Sequence, residues 1–120
     1  MIELRNKGFT LIELLIVIAI TGILASIAIL QYSVYRNRSY NSRAVSDLRN
    51  AATAQEAYYV ENQRYAGSYD SLSTGSDFTT SPDINFFMKG NQTVYTMTSY
   101  HPSGNKTYIL TGPGGKISND

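Results

Sequence analysis

The chain has 120 residues, a net charge of +1, no cysteine, no tryptophan and a single histidine. That length suits one small domain, and so balanced a charge gives no reason to expect nucleic acid as a main partner; such binding stays possible but unsupported. Without cysteine, disulfides and thiolate metal sites are excluded, and the lone histidine leaves few routes to catalysis.

Residues 1–8 form a short basic segment that carries Arg5 and Lys7. Then "FTLIELLIVIAITGILASIAIL" opens an apolar run, in which sixteen of the twenty residues from Leu11 to Leu30 are Ala, Val, Ile or Leu. A lipid-spanning helix needs roughly 20 such residues. The rest of the chain is too small to wrap an all-apolar cylinder, which argues against a soluble core helix. The run is also longer than the apolar region of a cleaved secretory signal, and it passes into polar helix without a break, so a retained anchor is expected. Arg36, Arg38, Arg43 and Arg49 follow the span, and counting Lys and Arg alone would put its C-terminal side in the cytoplasm.

From Gln31 to Arg64 there is no Pro or Gly. Val45, Leu48, Ala52, Gln55 and Tyr59 recur at steps of three and four, the helical period. The expected helix therefore runs from about Phe9 to near Asn62, roughly 80 Å of rod. Its first half, residues 9–30, is apolar all round; its second, residues 31–64, is amphipathic. Residues 65–83, rich in Ser, Thr, Gly and Asp, read as a loop. Strands are predicted at Ile84–Lys89, Thr93–Tyr100 and Lys106–Thr111, with a short tail strand at Lys116–Ser118. Gly90-Asn91, Pro102–Asn105 and Gly112–Gly115 supply the turns. The fold class is thus α+β. A long N-terminal helix packs its second half on an antiparallel meander of three or four strands, residues 84–120.

The stretch "KGFTLIELLIVIAITGILASIAILQ" resembles the prepilin signature of type IV pilins and type II secretion pseudopilins, and this resemblance implies the pilin fold for the elements just described. The resemblance extends through "SYNSRAVSDLRNAATAQEAYYVENQRY" and is only architectural after about Leu72. It implies that residues 1–8 are a leader, cut between Gly8 and Phe9 by a membrane prepilin peptidase that also methylates the new amine of Phe9. It implies an inner-membrane precursor with its N-terminus in the cytoplasm, against the charge count, because an enzyme reads the leader. An assembly platform and ATPase would then extrude a homo-oligomeric helical filament to the cell surface. Two departures stand out. Leu30 occupies a position where many relatives carry Pro, so the helix is expected to continue there, with Gly22 as its weak point. The C-terminal loop that many relatives close with a disulfide must be held by strand pairing alone.

Glu13 is a carboxylate inside the apolar run. A group so placed is functional by default, and it must either protonate or meet a cation. The Phe9 amine of a neighbouring copy is the expected partner, which would set the register of a bundle of helices; a tolerated polar residue near the membrane interface is the bland alternative. The arginines past the span read as a solvated or headgroup-facing surface, or as partners for Asp47 or Glu56 of neighbouring subunits. His101, beside Pro102, reads as a surface residue. Asn37, Asn91 and Asn105 begin short glycosylation-like triplets, a pattern that often arises by accident. No nucleophile–base pair, phosphate loop or metal-ligand spacing is present, so neither enzymatic activity nor a cofactor is expected.

The expected function is that of a structural subunit of a type IV pilus, serving adhesion, surface motility or DNA uptake. The alternative is the major pseudopilin of a type II secretion system. Against it, that family's tryptophan-containing segment and acidic calcium loop have no counterpart here: the last 37 residues hold only Asp120 as an acid. The ten tyrosines admit a further alternative, an electron-conducting pilin. An anchored enzyme or binding domain would need convergent polar groups that the strands do not offer.

Overall fold

The computed structural model describes residue 3 and residues 5–120. Helix α1, Leu11–Asn62, runs uninterrupted through both Gly22 and Leu30. The chain divides into two compact units, Met1–Tyr35 and Arg36–Asp120.

In the first unit every described side chain from residue 11 to residue 35 is exposed, including Leu11, Ile16, Ile20, Ile27 and Leu30. This part of α1 is long and apolar enough to cross a membrane. The two hydroxyls within residues 11–30 bond inward: Thr21 donates to the Val17 carbonyl at 2.7 Å and Ser26 to the Gly22 carbonyl at 2.8 Å. Polar groups satisfied within their own helix are what a hydrocarbon environment demands.

In the second unit α1 buries one stripe: Asn41, Ala44, Asp47, Leu48, Ala51, Ala54 and Gln55. Steps of three and one keep these residues on one face. The stripe is rotated from the expected one: Val45, Ala52 and Tyr59 are only half-buried. The difference arises because three of the seven buried residues are polar and hydrogen-bonded to loops, a pattern that apolar periodicity does not register.

A four-stranded antiparallel sheet in the order β1-β2-β3-β4 supplies the opposing layer: β1 Asn85–Gly90, β2 Tyr95–Tyr100, β3 Thr107–Gly112 and β4 Ile117–Asn119. Along β2, Tyr95, Met97 and Ser99 point inward and alternate with more exposed residues. Leu48, Ala51 and Ala54 meet Met97, Leu110, Tyr95, Tyr65, Leu72 and Phe78 in one core. Tyr65 and Tyr95 meet edge-to-face at 4.8 Å, and Tyr69, Phe78 and Phe86 form a second aromatic group with centroids 5.5–6.1 Å apart. Burial, and then the Glu56 carboxylate, push the Tyr65 and Tyr95 phenols upward, Tyr95 to about 12.

The segment 65–83 is not all loop. It contains α2, Tyr69–Ser76, capped by the Ser68 hydroxyl, which accepts from the Ser71 N–H at 3.3 Å. Leu72 seals it to the core, and Asp77 ends it in the left-handed region with φ 54. At the first hairpin the turn is longer than a tight Gly90-Asn91 pair. Asn91 Oδ1 accepts from the N–H groups of Thr93 and Val94 at 2.8 and 2.9 Å. Gly90 instead closes β1, where a Cβ would run into the Ala66 carbonyl.

Strand pairing is not alone in holding the C-terminal segment. Asn41 donates to Asn105 Oδ1 at 2.7 Å and accepts from the Asn105 N–H at 3.2 Å, which fixes the β2–β3 turn. Asp47 accepts from the Ser81 N–H at 2.7 Å and the Ser81 hydroxyl at 2.8 Å, which fixes the approach to β1. Gln55 pairs with the Ala66 backbone as a strand would, accepting its N–H at 2.8 Å and donating to its carbonyl at 3.1 Å. One face of one helix thus pins three separate loops.

Candidate functional site

The sequence directs attention to Gly8, Phe9 and Glu13. Of the expected leader, residues 1, 2 and 4 lie outside the described residues. Residues 5–10 are irregular backbone ahead of α1. Gly8 has open space where a side chain would be, and Phe9 is 90% exposed, so the peptide bond between them lies in accessible, non-helical chain. A protease needs such chain, because the bond must be presented in extended form.

Glu13 has a local role that the sequence reading missed. Thr10 is the N-cap of α1: its carbonyl accepts from the Leu14 N–H at 3.3 Å. Its hydroxyl accepts from the Glu13 N–H at 3.3 Å, and Glu13 Oε2 reaches back to the Thr10 N–H at 2.7 Å and its hydroxyl at 3.0 Å. This reciprocal pair is a capping box, and T-x-x-E ahead of an apolar run is its sequence signal. The box satisfies helix-end donors that lipid could not. Both bonds use Oε2; Oε1 has no hydrogen-bond partner among the described residues. Glu13 can therefore hold its own helix end and still offer an oxygen to an outside cation.

Other expectations change. His101 is not a surface residue: it is 6% exposed, stacked on Tyr40 at 4.2 Å, with Nδ1 accepting from the Ser103 N–H at 3.0 Å. The turn that was to expose it folds back over α1 through the Asn41–Asn105 clamp. Asp47 cannot serve neighbouring subunits, because it is buried and both its oxygens are taken by Ser81. Glu56 is exposed and accepts from the Tyr65 hydroxyl at 3.5 Å.

An N-terminal helix with an exposed apolar half and a four-stranded antiparallel head defines a pilin-like α+β protein. Residues 4–29 match the family signature described as the prokaryotic N-terminal methylation motif. The chain is 50% identical over 62 residues to the type IV major pilin protein PilA of Myxococcus xanthus, covering 52% of this chain and 28% of that protein. It is 51% identical over 63 residues to a fimbrial protein of Pseudomonas aeruginosa, covering 52% of this chain and 41% of that one. Those matches thus span less than half of either relative. Against the type IV wide pilus major component PilA4 of Thermus thermophilus, identity is 34% over 110 residues, covering 90% of this chain and 84% of the relative. The chain belongs to the type IV pilin family.

Proposed function

We infer that this protein is a structural subunit of a type IV pilus, polymerised from an inner-membrane precursor into a cell-surface filament, and not an enzyme. The observation that carries the reading is the similarity to a wide-pilus major component over 90% of this chain. The exposed apolar half of α1 supports it, since such a surface needs either lipid or other copies of itself.

In this reading a prepilin peptidase cuts between Gly8 and Phe9 and methylates the new Phe9 amine. An assembly platform and its ATPase then lift the subunit from the membrane. The Oε1 of Glu13 recruits the Phe9 amine of the adjoining copy, which fixes the stagger between helices, while the Thr10 box keeps the carboxylate aimed. The pair forms in a low-dielectric bundle, where a charge-assisted contact is strong and an unpaired charge is costly. The arrangement repeats head to tail and has no closure, so it grows as a fibre.

The test is electron microscopy of filaments sheared from producing cells, with mass spectrometry of their N-terminus. Micrometre-scale fibres of this chain that begin at a methylated Phe9 are expected; an uncut chain found only as single subunits in membranes would overturn the reading. Glu13→Ala should still insert into membranes but give no filaments. Normal filaments from that variant would remove Glu13 from the mechanism.

A further inference from the structure

Past its apolar run, α1 carries Tyr32 and Tyr35, each 64% exposed, and then Arg36 and Arg38, which are exposed as well. No Asp or Glu lies between Glu13 and Asp47, so this stretch of helix carries charge of one sign only. Arg43 stands apart from the pair, because Asp83 lines the same notch in the head. Depth decides what meets Arg36 and Arg38. Residues 11–30, at about 1.5 Å each, span about 30 Å, the thickness of a bilayer's hydrocarbon core. The headgroup layer beyond that core is about 5–8 Å thick on each side. Arg36 and Arg38 follow Leu30 by about 9 and about 12 Å along the helix axis, and an arginine stem can bend back toward the interface. Exposed tyrosines between the apolar run and the arginines suit the same layer.

Arg36 is also braced. Its Nη2 donates to the Tyr40 hydroxyl at 3.3 Å, and its guanidinium carbon lies 5.8 Å from the centre of that ring. Tyr40 stacks on the buried His101 at 4.2 Å, and His101 Nδ1 accepts from the Ser103 N–H at 3.0 Å. The guanidinium is thus tied to the folded head, and its planar fork matches phosphate oxygens. Arg38, two positions on, leaves the helix on nearly the opposite side, so the two arginines would meet different headgroups. We propose that Arg36 and Arg38 form a collar that binds the phosphates of anionic phospholipids in the leaflet where α1 leaves the bilayer. The proposal rests on the reading of residues 11–30 as a membrane anchor. It gives these arginines a use on the side where charge counting alone does not expect them. Bound there, the collar fixes how deep α1 sits, because sinking further would carry two charges into hydrocarbon.

Spin-labelled lipids test it on the full chain reconstituted in phosphatidylcholine vesicles. Electron spin resonance separates lipid held at the protein surface from lipid in the free bilayer. Arg5 and Lys7 could attract anionic lipid to the other leaflet, so the comparison is made in the Arg5→Gln, Lys7→Gln chain. At low salt, labelled phosphatidylglycerol should be held in preference to labelled phosphatidylcholine, by up to about fivefold for each arginine engaged. Adding Arg36→Gln and Arg38→Gln should abolish the preference, while Arg36→Lys with Arg38→Lys should keep most of it. Equal retention of the two lipids before the collar is changed would overturn the proposal. So would a preference that survives loss of both arginines, which would leave them to contacts between copies. Should the collar variants not fold, salt gives a second measurement: at 1 M the screening length is about 3 Å, and the preference should fall to near unity. A preference unmoved by salt would overturn the charge pairing. A chain that holds no lipid of either kind would defeat the anchor reading, and the proposal with it.

Discussion

Asn41, Asp47 and Gln55 each hold a different loop, and they differ in what their removal leaves behind. Asp47 is 2% exposed and serves two donors of Ser81, one of them backbone. Asp47→Ala strands both and should cost about 2–4 kcal/mol, since bonds to a charged acceptor are stronger than neutral ones. Denaturant unfolding of the full chain in detergent, followed by tyrosine circular dichroism, would measure the loss; a change near zero would mean that water replaces the carboxylate. Leu48, fully buried, gives the reference for pure packing, and Leu48→Ala should cost about 2–5 kcal/mol in the same assay. The buried phenols add a pH signature. Tyr65 and Tyr95 hold their protons more tightly folded than unfolded, Tyr95 to about 12. An acid with a raised folded value contributes stability that is complete below the unfolded value of about 10 and is lost as pH rises through the folded one. The contribution of these two phenols should therefore be flat through neutral pH and fall between about pH 10 and about pH 12. Ultraviolet titration should show most tyrosines ionising first and a late fraction released only with unfolding.

At the scale of elements, the long helix and the four strands were readable because their signals are local. Unbroken helical sequence covers residues 31–64, and runs of Phe, Tyr, Thr, Val and Ile lie between Gly, Pro and Asn turns. The helix α2 was not, because its eight residues, YDSLSTGS, share their composition with loops. The signal was present in the Ser68 cap and in the spacing of Tyr69 and Leu72, but it needs the core beneath Leu72 to outweigh the polar remainder. The capping box was also written in the sequence, as Thr10 and Glu13 three apart, and was passed over because Glu13 read as an assembly residue. Of the candidate site, Gly8 and Phe9 were singled out by the resemblance and Glu13 by its place in the apolar run, while the irregular backbone of residues 5–10 was not foreseen. The Asn41, Asp47 and Gln55 anchors were not, since their partners lie 64, 34 and 11 residues away. The box predicts that Thr10→Ala weakens the first turn of α1 by about 0.5–2 kcal/mol. Hydrogen exchange of the amides at residues 11–14 in detergent micelles should quicken accordingly, while exchange in the strands stays unchanged.

At the scale of the molecule, the two units have opposite relations to water. The second has its own apolar core and three hydrogen-bonded anchors, all within residues 36–120. A fragment of those residues is expected to fold in plain buffer, with the same tyrosine circular dichroism as the full chain in detergent; an unstructured fragment would show that the head needs the preceding residues. Among its described residues the first unit has no interior, since the apolar side chains of residues 11–35 are exposed all round the helix. The consequence is one of supply. On the proposed reading, a subunit with such a segment would have no dissolved reserve from which a fibre could draw, so its stock would be limited by bilayer area and not by concentration in any aqueous compartment. Elongation would then slow when the surrounding leaflets are depleted, and disassembled subunits would have to return to the same lipid reservoir to be used again.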